Sequence, residues 1–509
     1  METTKSNSSN APVDKALLAA IDLGSNSFRL EIGRLDGGHI QRVEYLKEAV
    51  RQGGDLDEDR NLTTEAMERG VRCLARFGER LQGFDAAHVR AVATQTLREA
   101  NNRDVFLKLA KKALGFDVEV ISGVEEARLI YQGVNRFLPQ SNEKRLVIDI
   151  GGRSTEFILG HGFEAQHTAS LHVGSVAWSL KHFATGEFTE NAFSRAELAA
   201  ESVFETLGSN FNHNQWDIAY GASGTVGAVA DVLVQYGRPV DVITKADLYW
   251  LRDELLRMRY IDKIRLDGLK EDRKPVIGGG LSILISVFEF LKIDTLHVAK
   301  GALRHGLLYD MLTREDDMLD LRNASVQRLA KKFDADETQA NTVAEVAEKL
   351  FEKISEDVNF AVGERRLHAR KLRWAALLHE IGSFISPIDA HLHGAYILEH
   401  TEPLGFAQSE LHRLSLLILG HRGKLKRLEA DFSDRIFVMQ LLCLRLAVIL
   451  CHARQTPNLR GMQLNIANNT ITLTVSKSWT EKYPQSNYLL DEETLAWQKT
   501  VWRFEKSST

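Results

Sequence analysis

The sequence predicts an α/β fold up to about residue 310 and a mainly helical fold after it. Three observations carry this. Residues 1–310 hold 29 of the 36 glycines, set as turns between short β-branched runs such as Leu146-Val147-Ile148-Asp149-Ile150. Residues 311–509 hold the other 7, in long amphipathic stretches, and 8 of the 17 histidines fall between His368 and His452. Proline is scarce, 8 residues where ~5% average usage gives ~25, which favours helices.

The 509 residues are 44% hydrophobic and 26% charged, with a formal net charge of −5. That is a globular composition with ample core, and about 150 residues per domain gives three or four domains. The small net charge gives no reason to expect nucleic acid, and any polyanion has to meet a local basic patch. Three cysteines (Cys73, Cys443, Cys451) exclude a disulfide scaffold, and no CxxC pair suggests zinc. The N-terminal METTKSNSSNAPVDK lacks an apolar signal core. No apolar run reaches the ~20 residues that span a bilayer; the longest candidate, around Leu441 to Leu450, is interrupted by Arg445. A reducing cytoplasm is the expected setting.

Taken in order, Ala16 to Ile21 is an apolar strand leading into Asp22-Leu23-Gly24-Ser25-Asn26-Ser27. Thr63 to Leu81 has helical spacing, Val89 to Thr94 reads as a strand, and Leu97 to Leu114 as one helix. Val118 to Ser122 is a strand and Glu125 to Phe137 a helix. This βα rhythm predicts mixed sheets. The charged stretch TREDDMLDLR (313–322) reads as a linker or connecting helix, and helices run from about Ala324 to Arg454. Residues 464–475 alternate apolar and polar around Asn468-Asn469, a hairpin signal. The expected division is 17–132, 133–310, a helical 317–457 and a small α+β unit, 458–509.

One internal repeat stands out. Asp22-Leu23-Gly24-Ser25-Asn26-Ser27 and Asp149-Ile150-Gly151-Gly152-Arg153-Ser154-Thr155 share D-[LI]-G-x-x-[ST], each between two apolar runs. Each is a tight turn in a hairpin. Its glycines let backbone N–H groups approach an anion, its hydroxyls add donors, and its Asp can hold Mg²⁺ directly or through water. Two such loops face to face would clamp a phosphate chain. A third glycine loop, Tyr220-Gly221-Ala222-Ser223-Gly224-Thr225, is either a strand-to-helix turn or a further phosphate contact.

These three loops resemble the phosphate loops of the superfamily of acetate and sugar kinases, chaperone ATPases and actin. Ile121-Ser122-Gly123-Val124-Glu125-Glu126-Ala127-Arg128-Leu129-Ile130 narrows the resemblance to the exopolyphosphatase / guanosine pentaphosphate phosphatase (Ppx/GppA) family. The resemblance covers about residue 17 to the C-terminus. It implies two actin-like (ribonuclease H-like) domains, an HD-like helical domain, a homodimer, and a path for polyphosphate across the helical domain. Peripheral contact with the inner face of the cell membrane is compatible with it.

Hydrolysis of a phosphoanhydride needs a positioned water, a base, and neutralisation of the phosphoryl charge. Glu125 and Glu126 point about 100° apart on a helix, so they cannot share one site. Ser122 and Glu125 have capping-box spacing. Glu126 is left free, and it aligns with the glutamate taken as base in the family; Glu125 is the fallback. The resemblance gives Glu156 a second acidic role. Acids beside a polyanion predict a divalent metal, Mg²⁺ or another, with Asp22 and Asp149 as ligands. Asn26, Ser27, Ser154 and Thr155 would donate to phosphate, with Gly24, Ser25, Gly151, Gly152, Gly221, Ser223, Gly224 and Thr225 shaping the loops. Thr94 and Arg98 lie where a helix start attracts anions, though Arg98 reads equally as a surface residue.

Two departures matter. The family pattern DIGGGSTE has Arg153 at its third glycine here. It would be strained if φ is positive, or its guanidinium would reach a phosphate. In the helical domain, His379-Glu380 replaces the expected His-Asp and Val448 a distal Asp, so the HD-like metal site is expected to be lost. His391, His393 and His421 lie where that fold's other elements would be. Basic clusters (Arg365, Arg366, Arg370, Lys371, Arg373; Arg422, Lys424, Lys426, Arg427) are candidates for the polyanion path. The expected activity is exopolyphosphatase, with guanosine pentaphosphate 5′-phosphatase as the alternative and a sugar or acetate kinase as the rival.

Overall fold

In the computed structural model, which describes residues 16–314, 319–360, 363–425 and 428–508, the chain forms two compact units, Met1–Leu319 and Asp320–Thr509. The N-terminal segment read as lacking a signal core, residues 315–318 of the connecting stretch, and Lys426 and Arg427 of the second basic cluster lie outside the described residues.

The first unit carries two sheets built on one plan. β1 (Leu17–Leu23), β2 (Phe28–Asp36) and β3 (His39–Glu48) form an antiparallel meander. β4 (Val89–Ala93) and β5 (Val118–Val120) add parallel strands beyond β1, giving the order β3-β2-β1-β4-β5. β6 (Lys144–Ile150), β7 (Thr155–His161) and β8 (Glu164–Leu171) repeat the meander. β9 (Ile218–Ala222) repeats the parallel strand, and β10 (Val242–Thr244) pairs antiparallel with β11 (Thr295–Val298) at the far edge.

The central strands are apolar because both faces are covered. Along β1, Ala19, Ile21 and Leu23 enter the core under α1 (Thr64–Arg80), α2 (Gln95–Glu99) and α3 (Arg103–Leu114). Leu18 and Ala20 point the other way, into a core shared with Val147 and Ile158 of the second sheet. Between the sheets lie α4 (Gly123–Asn135) and, much later in the chain, α10 (Leu303–Arg314). The second sheet's other face is covered by α5 (Ser175–His182), α6 (Glu190–Phe204), α7 (Ser223–Gln235), α8 (Lys245–Met258) and α9 (Ile277–Leu291).

Several expectations need correction. The single helix over 97–114 is two, because the Asn102 side chain bonds both the N–H and the C=O of Leu62, 2.9 and 3.0 Å, and holds the break. Residues 303–310 do not belong with the second sheet alone, since α10 packs on α4 in the shared core. The most apolar long window is Lys274–Leu291, not Leu441–Leu450. Among the described residues it alone is long and apolar enough to cross a membrane, and 72% of it is buried, as the core helix α9.

The second unit contains α11 (Leu321–Lys332), α12 (Glu337–Ile354), α13 (Glu364–Leu378), α14 (Ala390–Glu399), α15 (Gln408–Gly420) and α16 (Arg435–Leu450). The hairpin is β12 (Met462–Ala467) and β13 (Thr470–Val475), turned by Asn468 and Asn469 at φ 45° and 58°. Both angles are left-handed, as a type I′ turn requires. α17 (Lys477–Lys482) and α18 (Pro484–Trp497) lead to β14 (Arg503–Ser508), parallel to β13. Ile471, Leu473, Val475 and Phe504 join the core of the helices, so 458–509 is no separate domain.

Candidate active site

The two repeated loops meet. A Cβ on Gly152 would lie 2.9 Å from the Ser25 Cβ and 3.5 Å from the Asn26 nitrogen, so only glycine lets the second loop close on the first. The first loop is braced from behind: Arg51 and Gly53 donate backbone N–H groups to Asn26 and Ser25, and Thr96 Oγ1 donates to Ser25 Oγ at 2.7 Å. Asn26 Nδ2 and Ser27 Oγ are buried with no partner among the described residues. Two buried orphan donors on one loop carry a cost that an anion would relieve.

Four carboxylates converge at the strand ends. Asp22 closes β1 and pairs with Arg29 at 3.0 Å. Asp149 closes β6, where burial, then the charges of Glu126 and Asp22, raise its carboxyl to about 7 against the pull of Arg29 and Arg304. Glu126 is raised too, by burial and by Asp22, against the pull of Arg98. Glu156 is raised well above the carboxylate range by burial and by Glu126 and Asp149. Glu126 accepts from Arg98 Nη1 at 2.8 Å and Glu156 from Ser170 Oγ at 2.8 Å. Asp149, Glu126 and Glu156 crowd one another, and the donors are hard oxygens. That set fits a divalent cation held by one or two carboxylates and completed by water and phosphate oxygens. Among the described residues no three His, Cys, Asp or Glu groups are poised to hold a metal by themselves.

Cations that sequence reasoning missed sit beside the acids. Besides Arg29, Arg304 lies 3.9 Å from Asp22 and 3.2 Å from Glu31. Glu31 is held down to about 2, its burial outweighed by His305, Arg304 and Arg42. Burial and the charge of Arg29 lower the Arg273 guanidinium, and burial and Arg273 lower Lys47. These shifts put Arg29, Lys47 and Arg273 within electrostatic reach of one another. Arg273 lies where a Cβ on Gly224 would be, so the third loop seats this arginine. Ser223 opens α7 at φ 93°, a strained angle for serine. Arg29 was legible: two strands joined by GSNS pair Asp22 with Arg29 directly. Lys47, Arg273 and Arg304 come from distant segments and left no local signal.

Several candidates are committed elsewhere. Glu125 is wholly buried and binds Arg128 at 2.8 and 2.7 Å, within a network that includes Arg90 and Asp310. Both its oxygens are engaged, which removes the fallback base. Ser122 caps α4 by accepting from the Glu125 N–H, but the reciprocal half of the box is replaced by Arg128. Arg98 donates to Gln95, the Ile121 carbonyl and Glu126, so four of its five N–H groups are engaged and it positions Glu126. Thr155 and Thr225 donate their hydroxyls to the carbonyls of Val173 and Ile150 and are no phosphate donors. Thr94 accepts from Leu97 and Arg98 through its carbonyl at the start of α2.

Arg153 takes neither expected course. It is absent from the residues with positive φ, and its guanidinium binds Glu99 at 2.5 and 3.1 Å and the Gly53 carbonyl at 2.6 Å. The second loop is thereby tied to α2 and the turn at Gln52–Gly54. In the second unit three members of the first basic cluster have protein partners. Arg370 pairs with Asp320 (3.1 Å), Arg373 with Glu348 (2.8 Å), and Arg365 donates to the Ser355 carbonyl.

Comparison with known proteins agrees with this architecture. Residues 32–315 match the model of the Ppx/GppA phosphatase family, and 321–494 that of Ppx/GppA phosphatase, domain III. A guanosine-5′-triphosphate,3′-diphosphate pyrophosphatase from Vibrio atlanticus is 37% identical over 488 residues, 95% of this chain and 96% of that one. A crystal structure of an exopolyphosphatase from Cytophaga hutchinsonii is 26% identical with a TM-score of 0.53, covering 58% of this chain and 98% of its own. An exopolyphosphatase-like protein of known structure is similar at 26% identity, TM-score 0.54 and the same coverage.

Proposed function

The chain belongs to the Ppx/GppA phosphatase family, and from this premise we propose that it hydrolyses the terminal 5′-phosphate of guanosine 5′-triphosphate 3′-diphosphate. The observation that carries the substrate is the 37% identity over 95% of the chain to a pyrophosphatase of that specificity. The cluster of Arg29, Lys47, Arg273 and Arg304 supports it, because a nucleotide with two phosphorylated ends needs cations on more than one side. Inorganic polyphosphate is the second reading, favoured by the two exopolyphosphatase-type structures.

In this reading the orphan donors Asn26 Nδ2 and Ser27 Oγ bind phosphoryl oxygens, and Arg29 and Arg273 hold the chain of phosphates. Arg98 fixes Glu126, whose carboxyl is raised by burial and by Asp22, the direction a general base needs. Glu126 takes a proton from the attacking water, with Glu156 beside it. Asp149 is the principal ligand for a divalent cation such as Mg²⁺, which when bound would offset charge on the transferred phosphoryl group.

The test is phosphate release from guanosine pentaphosphate and from long-chain polyphosphate, with and without Mg²⁺, for the native chain and for Glu126→Gln. The nucleotide is expected to give the higher kcat/KM. A preference for polyphosphate reverses the specificity, and full turnover by Glu126→Gln removes it as base.

A further inference from the structure

A cavity lies wholly inside the second unit. It has a volume of about 760 Å³, and its wall includes Gln339, His379 and His421. That volume falls in the range of small-molecule sites, roughly 300–1,000 Å³.

The inner wall presents hydrogen-bond acceptors. His379 Nδ1 lies 2.7 Å from the Ala376 carbonyl, and His421 Nδ1 lies 2.6 Å from the Ile418 carbonyl. A carbonyl only accepts, so each Nδ1 carries the hydrogen and each Nε2 keeps a lone pair in the neutral ring. Burial keeps both rings below the usual histidine range, His421 further down through its neighbour His379. Their centroids are 5.6 Å apart. The described residues give neither Nε2 a hydrogen-bond partner, and both rings line the cavity. Gln339, 6% exposed, donates its amide to the Cys451 carbonyl, and its Oε1 is buried with no partner. Three acceptors therefore line one wall, and that of Gln339 is buried without a partner.

The rim is cationic. Of the acids on the wall, Glu493 is held by Arg445 at 2.5 and 2.7 Å and Glu380 by Arg454 at 2.9 Å. Those pairs cancel. Arg422, Lys424 and Lys499 remain against Glu492 alone. Leu425, Val448, Ile449 and Leu489 make the rest of the wall apolar. Among the described residues no three His, Cys, Asp or Glu groups converge here.

We propose that this cavity binds a nucleotide, its amino-bearing base donating to Gln339, His379 and His421, and its phosphates meeting Arg422, Lys424 and Lys499. A ring with exocyclic amine and N–H donors pairs with these acceptors, a flat apolar face suits the leucine and valine walls, and the anionic tail suits the rim. The inference is independent of the substrate of the first unit, since its readout is binding alone.

The test uses the full chain carrying Arg29→Ala and Arg273→Ala, which weakens nucleotide binding in the first unit. Methylanthraniloyl-GDP is titrated by fluorescence. One equivalent is expected to bind per chain. Lys424→Glu and Ala496→Trp, the second filling the cavity without removing a hydrogen bond, are each expected to weaken binding by about tenfold or more, with unchanged circular dichroism and melting. Unlabelled GDP should displace the probe far better than guanosine or tripolyphosphate. Absence of binding in this background, binding that ignores both cavity variants, or displacement by tripolyphosphate as efficient as by GDP would each overturn the proposal.

Discussion

The two repeated hairpins use one backbone device for opposite electrostatics. In the first, the Asp at the strand end is paired across the turn with Arg29; in the second, the same register pairs Asp149 with Glu156. Asp22 is an ion-pair partner at 3.0 Å. Asp149 is pushed up to about 7 by burial and by Glu126. The first loop also keeps two buried donors unpartnered, while the second spends its threonine on the Val173 carbonyl and its arginine on Glu99. One copy thus suits an anion, the other a proton or a divalent cation. The two hairpins share a register but differ in the residue opposite the aspartate, Arg29 in one and Glu156 in the other.

Substitutions in the acidic half should weigh most. Glu126→Gln is expected to lower kcat by about 10²–10⁴ with KM little changed, read as phosphate release under saturating substrate. Asp149→Asn should cost on the order of 10²-fold and abolish stimulation by divalent cations. It has a second signature. Between pH 3.8, the ordinary value, and about 7, the folded chain holds a proton on Asp149 that the unfolded chain has lost. Metal-free stability therefore falls as pH rises through this window, and Glu126 and Glu156 act in the same sense. Denaturant midpoints at either end of the window, in chelator, should show a drop for the native chain exceeding that of Asp149→Asn by on the order of 1–4 kcal/mol. An equal drop for both places that charge elsewhere.

The anion-binding half should respond in KM. Arg29→Ala is expected to raise KM about 10–100-fold with a smaller change in kcat, and a pure kcat effect would move Arg29 to the acidic half. Smallest is Arg153→Gly, which restores the family's usual residue and releases the tie to Glu99 and Gly53. It should change kcat/KM by less than about tenfold. Arg153→Lys, which loses the paired contact but keeps the charge, should behave alike if the tie matters and natively if only charge does.

Much of this was legible in the chain. The hairpins, their loops, the capped start of α4 and the asparagine turn at Asn468-Asn469 were readable because each depends on residues within a few positions of one another. The split of α2 from α3 was not, since it is held by Asn102 reaching Leu62, forty residues upstream. Nor was the commitment of Glu125 to Arg128, Arg90 and Asp310, whose last member arrives on α10.

The sequence by itself determined the repeated strand–loop–strand pattern and the placing of an acid at each strand end, because hairpin register and side-chain alternation are short-range. Only the tertiary structure decided which acids stay uncompensated, which arginines are consumed and which cations come to the cleft. A carboxylate's charge state depends on burial and on every charge within a few ångströms, and those neighbours are brought from segments up to 282 positions away, as Arg304 is to Asp22.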